Sequence, residues 1–258
     1  MDVSHPADPP ALRPDPLLYP EVAAANGSWV AALQKAAADL QVDLGAVSAP
    51  ESPTDSGRLI VARVEAPRGD FVVTLGRDER AFDLRMRWTE VEDAASGRTT
   101  ELRTVIDIAH AWRAGDPLGE LRARWPFLKI DELTLAHERG EAVAFEWQRV
   151  RNLPDHLIDH EIVEAAYAHP LLRSLFPLIS HGSLQFSRCT QPPWTYDVPG
   201  LFPQWGGGWR AMRAIKGRDI PDHGPQTPQK AVAFVVEGLP DGCGPAVEGP
   251  ADLLPETN

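Results

Sequence analysis

The chain has 258 residues, 43% of them hydrophobic and 24% charged, with a formal net charge of −12. That length suffices for one large domain or two small ones with a real core. The acidic balance argues against nucleic acid and anionic membrane surfaces as partners, because both need a clustered basic face and the 25 Lys and Arg are scattered. Cys189 and Cys243 are the two cysteines, and "MDVSHPADPPALRPDPLLYP" lacks a basic region followed by an apolar run. The expectation is therefore a cytoplasmic protein with reduced thiols, no secretion signal and no membrane span.

In chain order, residues 1–20 carry six prolines and predict a disordered or extended leader. "NGSWVAALQKAAADLQV" predicts a helix capped by Asn26 or Ser28, with Trp29, Leu33, Ala36 and Leu40 at helical spacing. Gly45 and "SAPESPTDSG" predict a loop. Three strand signals follow, at 58–66, 71–76 and 81–91, separated by "PRGD" and "RDER" as in an antiparallel meander. In the third, Phe82, Leu84, Met86 and Trp88 alternate with Asp83, Arg85 and Arg87, which reads as one buried and one wet face.

"TELRTVIDIAHAWRAG" turns helical, with Gly115 as its stop. "DPLGELRARWP" predicts a short helix capped by Asp116 with Pro117 in its first turn. "DELTLAHERGEAVAFEWQRVRN" predicts more helix, interrupted near Gly140. "HLIDHEIVEAAYAHP" predicts a helix ended by Pro170, followed by a turn or two of helix in "LLRSLFP". Strands are expected around 183–189 and 209–216, with "RDIPDHGPQ" as a loop. "TPQKAVAFVVEGLPDG" reads as a helix capped by Thr227 and stopped by Gly238, with a strand as the alternative. The tail from 244 is expected to be irregular.

The fold class that follows is α+β, in two halves that each join helices to an antiparallel sheet. The expected boundaries are 1–20 for the leader, 21–152 and 153–249 for the halves, and 250–258 for the tail. "WRAGDPLGELRARWPFL" and "YAHPLLRSLFPL" echo each other in their aromatic, Pro-Leu and aromatic-Pro order, which raises an internal repeat.

The stretch "SHGSLQFSRC" carries the most chemistry. A strand there places Ser183, Gln185, Ser187 and Cys189 on one face and Leu184 and Phe186 on the other. As a pocket wall, it offers His181 for proton transfer. Arg188 can fork onto an acidic group. Cys189 serves as a nucleophile if its thiol pKa is lowered. A half-exposed strand whose polar face meets solvent explains the same alternation. No acid partner for His181 emerges from the spacing, so no triad can be drawn.

The turn "PPWTYDVPGLFPQWGGGW" adds Trp194, Tyr196, Phe202, Trp205 and Trp209, as a ligand-stacking lid or as a loop pinned by its own aromatics. The candidate set is thus His181, Arg188 and Tyr196 for chemistry, with Ser183, Gln185, Ser187, Cys189, Trp194 and Trp209 for binding. His156, His160 and Glu164 would stack at i, i+4 and i+8 on a helix, but without a fuller ligand set they fit an exposed face as well, and no metal is expected. No Gly-rich strand-to-helix turn or phosphate loop is present, so no cofactor is expected.

"AAYAHPLLRSLFPLISHGSLQFSRCTQPPWTYDVP", with "GLPDGCGPAVEG" and "AWRAGDPLGELRARWPFLKIDEL", resembles an actinobacterial family of domains of unknown function (DUF6193-like) over most of residues 27–249. The resemblance implies company with natural product (antibiotic-type) pathways and no particular reaction. The resulting expectation is an accessory protein that binds a small-molecule or carrier-bound intermediate. The alternatives are a cofactor-independent enzyme using His181 for proton transfer and a protein-gripping module of chaperone or immunity type. A protein partner from the same pathway is compatible with each.

Overall fold

A computed structural model describes residues 14–49, 60–88, 92–212 and 224–254. The fold is α+β, with two compact units, residues 1–131 and 132–258. The division falls at Asp131/Glu132, earlier than the expected 152/153 boundary. Residues 1–13, most of the "SAPESPTDSG" loop, the end of the third strand signal at 89–91, residues 213–223 and the tail from 255 lie outside the described residues. Among the described residues no helix is long and apolar enough to cross a membrane.

The first unit begins with α1 (Pro20–Ala24) and α2 (Trp29–Asp39). Five strands then form one antiparallel meander, β1 (Val47–Ser48), β2 (Val61–Val64), β3 (Phe71–Leu75), β4 (Phe82–Arg87) and β5 (Asp93–Thr99). The helices α3 (Leu102–Ala114) and α4 (Leu118–Arg124) close the unit. Ser28 caps α2 by accepting from Ala31 N, while Asn26 sits outside the helix at φ 55°. Gly115 ends α3 in the left-handed conformation, as its position predicts. In α4 the cap position is Pro117 and not Asp116. Phe82, Leu84 and Met86 are buried, and Arg85 on the opposite face is exposed.

The end of the expected leader is structured. Tyr19 is 1% exposed, and its hydroxyl lies 2.9 Å from Ala81 O and accepts from Ala81 N at 3.0 Å. Its ring meets Phe82 edge-on at 5.8 Å, and Trp29 stacks on the same Phe82 at 5.6 Å. Proline content said nothing of this anchor, because one aromatic with a partnered hydroxyl is enough to offset the ordering of a short segment. Tyr19→Phe is expected to cost about 1–3 kcal/mol, since the buried Ala81 N–H loses its acceptor. A urea titration that leaves the midpoint unmoved would show the contact to be incidental.

The second unit runs α5 (Glu132–Glu138), α6 (Ala142–Arg151), α7 (His160–Ala168), α8 (Pro170–Arg173), β6 (Phe176–Ser180), β7 (Ser183–Ser187), β8 (Gly200–Pro203), β9 (Trp209–Met212) and α9 (Pro228–Glu237). The strands form a four-stranded antiparallel meander. Trp147, Val150, Ile162, Val163, Ala231 and Val235 from the helices bury the sheet face that carries Leu184, Phe186, Leu201 and Trp209. The "VAFVV" run lies in α9, with Thr227 at its N-cap and Gly238 at its C-cap.

The two echoed segments do share a helix end, a break and a short helix, at α3–α4 and α7–α8. Their settings differ, because α4 follows its sheet and α8 precedes its own. The tail is also ordered in part: Val247 N donates to Arg188 O, and Thr190 N donates to Val247 O, beside a parallel bridge between Cys189 and Val247.

Candidate functional site

The register of the second sheet sorts the β6–β7 hairpin into two faces. Ser180 pairs with Ser183, Leu178 with Gln185 and Phe176 with Ser187, and directly opposed residues share a face. The polar alternation of β7 therefore lies on the sheet face opposite the helices. Along β7, however, this polar face passes through two different environments.

At the Ser187 end, the face is sealed. The segment 188–199 folds back over it, with a cis bond between Pro192 and Pro193. Ser187 is fully buried, and its Oγ accepts from Cys189 N at 3.1 Å and from Thr195 N at 3.2 Å. Thr195 Oγ1 accepts from Arg188 N at 2.8 Å. Trp194 stacks on Phe176 with centroids 5.4 Å apart and an 11° interplanar angle. His137 covers the same ring, 6.2 Å away.

This closure decides several candidates. Cys189 is fully buried, its S–H facing the carbonyls of Gln191 and Pro193, so the thiol has no approach for a substrate. Arg188 is held by Asp197 at 2.7 Å. It is thus a partner for its own chain and lies away from the open part of the face. Cys243, half-buried nearby, has its thiol pushed above the ordinary range by burial, with Arg188 pulling the other way and Asp197 adding to the rise. It stays protonated and is a poor nucleophile. Trp209 belongs to the core, and Tyr196 is exposed outside the cleft described next.

At the hairpin end, the same face is open. A cleft of about 630 Å³ is lined by Ser180, His181, Ser183 and Gln185 from the hairpin and by residues 202–206 from β8 and its following turn. That volume is in the range of small-molecule sites. Three of the sequence candidates, His181, Ser183 and Gln185, meet here. The others do not line it. Ser180, Phe202 and Trp205 join them, and the last two had stood out only as members of an aromatic turn.

Local geometry explains the placement. Ser180 and Ser183 close a two-residue hairpin turn in which His181 (φ 50°) and Gly182 (φ 75°) both take positive φ. Such a turn matches the strand twist, and glycine accepts it freely; histidine tolerates it at a cost. Ser183 Oγ donates to Ser180 O across the turn. His181 Nδ1 faces Ser180 Oγ at 3.0 Å, and Nε2 is not engaged by that contact. Because the left-handed conformation costs a non-glycine residue about 1 kcal/mol or more, His181→Gly is expected to raise the unfolding free energy by about 1 kcal/mol while emptying the cleft of its imidazole. Equilibrium unfolding beside the wild-type chain checks this, and a loss of stability would show that the ring itself supports the hairpin.

Opposite the hairpin, β8 supplies the floor. A Cβ on Gly200 would stand 3.0 Å from Gln185 Cγ and 3.1 Å from Phe202 Cε2. The glycine thus lets the Gln185 stem and the Phe202 ring settle beside one another.

The metal alternative loses its geometry. The helix begins at His160, with Asp159 as its cap, so His156 lies in the preceding turn and the i, i+4, i+8 stack does not form. His160 Nε2 contacts Leu153 O at 2.7 Å and Asp155 at 3.2 Å, while Glu164 pairs with Arg151 at 2.7 Å. No cluster of three or more His, Cys, Asp or Glu suited to a metal occurs among the described residues.

A family model described as a family of unknown function (DUF6193) matches residues 141–250. The match spans α6 through the docked tail and so includes the whole cleft; the similar-looking stretch at 111–133 lies outside it. No curated protein and no solved structure matches the chain.

Proposed function

We propose that the chain is a small-molecule-binding accessory protein of a natural product pathway, and that it holds a free or carrier-bound intermediate in the hairpin-end cleft. One observation carries the reading: the polar face of β7 is closed by its own chain at Ser187 and opens toward the hairpin turn at half-buried Gln185, where an exposed, strained His181 borders a cleft of about 630 Å³. Polar groups converging in a concave site beside aromatics are the usual form of a ligand pocket. A residue kept in a costly backbone conformation at its rim adds to that. The pathway part rests on the family resemblance of the 165–199 stretch.

His181 also supports a second reading, cofactor-independent proton transfer. Its Nδ1 is oriented by Ser180 Oγ and its Nε2 is directed away from that contact. One experiment serves both. The His181→Ala chain replaces the native one in the organism that encodes it, and metabolites are profiled. Loss of the pathway product with an unchanged unfolding midpoint is expected. Full product from a folded His181→Ala chain places the function elsewhere. Wild-type protein that converts the accumulated intermediate, where His181→Ala protein only binds it, selects the enzymatic reading.

A further inference from the structure

We infer that the cleft is built for an uncharged ligand with one flat ring face and one hydroxyl-bearing edge, the chemistry of an aryl glycoside or a glycosylated aromatic. The inference rests on the proposal that this cleft is the ligand site.

The ring face is suggested by the way the aromatics are displayed. Trp205 is wholly exposed, at 104% of its reference surface. It stands in the β8–β9 turn ahead of Gly206, Gly207 and Gly208, whose φ values are 90°, 101° and 82°. Gly206 and Gly207 have no neighbour within 4 Å of where a side chain would begin. An indole held out on such a turn exposes about 150–250 Å² of largely apolar surface to water. A planar ring laid on it recovers that loss, and Phe202 on the floor offers a second surface.

The hydroxyl edge is suggested by the polar groups. Gln185 Nε2 reaches Ser183 Oγ at a long 3.3 Å, so its carbonyl oxygen and second N–H stay available. Gln204 Nε2 lies 3.2 Å from Pro203 O and keeps its own carbonyl oxygen. Amides and the Ser180 hydroxyl both donate and accept, as sugar hydroxyls do. Among the described lining residues there is no Lys, Arg, Asp or Glu. Arg188, the cation that follows β7 and would reward an acid, is engaged by Asp197. An anionic ligand would meet no Lys or Arg among the described lining residues and would exchange its hydration mainly for neutral dipoles.

The test uses the full chain with two probes of equal shape, 4-nitrophenyl β-D-glucopyranoside and 4-nitrophenyl β-D-glucuronide, followed by titration calorimetry and ligand-observed NMR. The glucoside is expected to bind saturably and at least about tenfold more tightly than the anionic glucuronide. Trp205→Ala is expected to weaken the glucoside about tenfold, a loss of about 1.4 kcal/mol, with no change in unfolding midpoint. Equal or tighter binding of the glucuronide, unaltered binding by Trp205→Ala, or no binding of either probe overturns the ligand class. In those cases an altered metabolite profile for His181→Ala would still uphold the cleft as the site, whereas an unaltered profile would remove the site as well.

Discussion

Trp147→Ala is expected to lower the stability of the second unit by about 3–5 kcal/mol. The indole is 1% exposed and sits between the helices and the sheet. It tilts against Phe186 at 6.2 Å and Tyr167 at 5.4 Å, so its removal leaves a cavity that two other rings border. Its Nε1–H also donates to Leu175 O at 3.0 Å, and that buried carbonyl would lose its partner. Urea unfolding followed by circular dichroism measures the change. Trp147→Phe should lose less, because it keeps most of the ring volume and forfeits the hydrogen bond. A loss below about 1 kcal/mol for the alanine variant would contradict the packing described for this core.

The second large effect is expected at Ser187, although its side chain is only a hydroxymethyl group. Ser187→Ala should cost about 2–4 kcal/mol, because two buried backbone N–H groups, those of Cys189 and Thr195, lose their shared acceptor. The segment 188–199 should then open, and exchange of the Cys189 and Thr195 amides should accelerate more than that of the Leu184 amide. Ser180→Ala, at the exposed end of the hairpin, is expected to move the midpoint little. Equal small effects at both serines would mean that the closed end is held by Trp194 and Asp197 instead.

This contrast between two serines marks how far the sequence could be read. Period-two alternation put Ser183, Gln185 and Ser187 on one face correctly, since that follows from the pleat alone. Which half of the face is covered depends on the returning chain at Thr195 and on Val247, more than fifty residues further along, and no local pattern encodes it. Helix ends were legible where a single residue decides them, as at Ser28, Gly115 and Thr227.

Elsewhere local chemistry was outweighed or overlooked. β5 has the weak strand sequence "DAASGRT", yet pairs along its length with β4; a Cβ on Gly97 would come within 2.8 Å of Leu128 Cδ2, so smallness there serves packing. Asp159 was a readable cap, accepting from Glu161 N at 2.7 Å. Giving it weight would have started the helix late enough to part His156 from His160. Trp205 was visible in sequence, but its full exposure, ahead of three positive-φ glycines, was not.

The tail's attachment bears on the order in which the chain matures during synthesis. Thr190 and Gln191 donate backbone N–H groups to Gly249 O, and Ala251 N donates to Pro193 O. These partners leave the ribosome about 60 residues after the loop that needs them, a delay of roughly 3–12 s at ordinary translation speed. The Ser180–Ser183 hairpin needs only its own neighbours and closes in about 1–10 μs. The rim of the cleft can therefore form from its own neighbours, whereas the backbone bonds that fasten the 190–193 loop wait for residues 249–251.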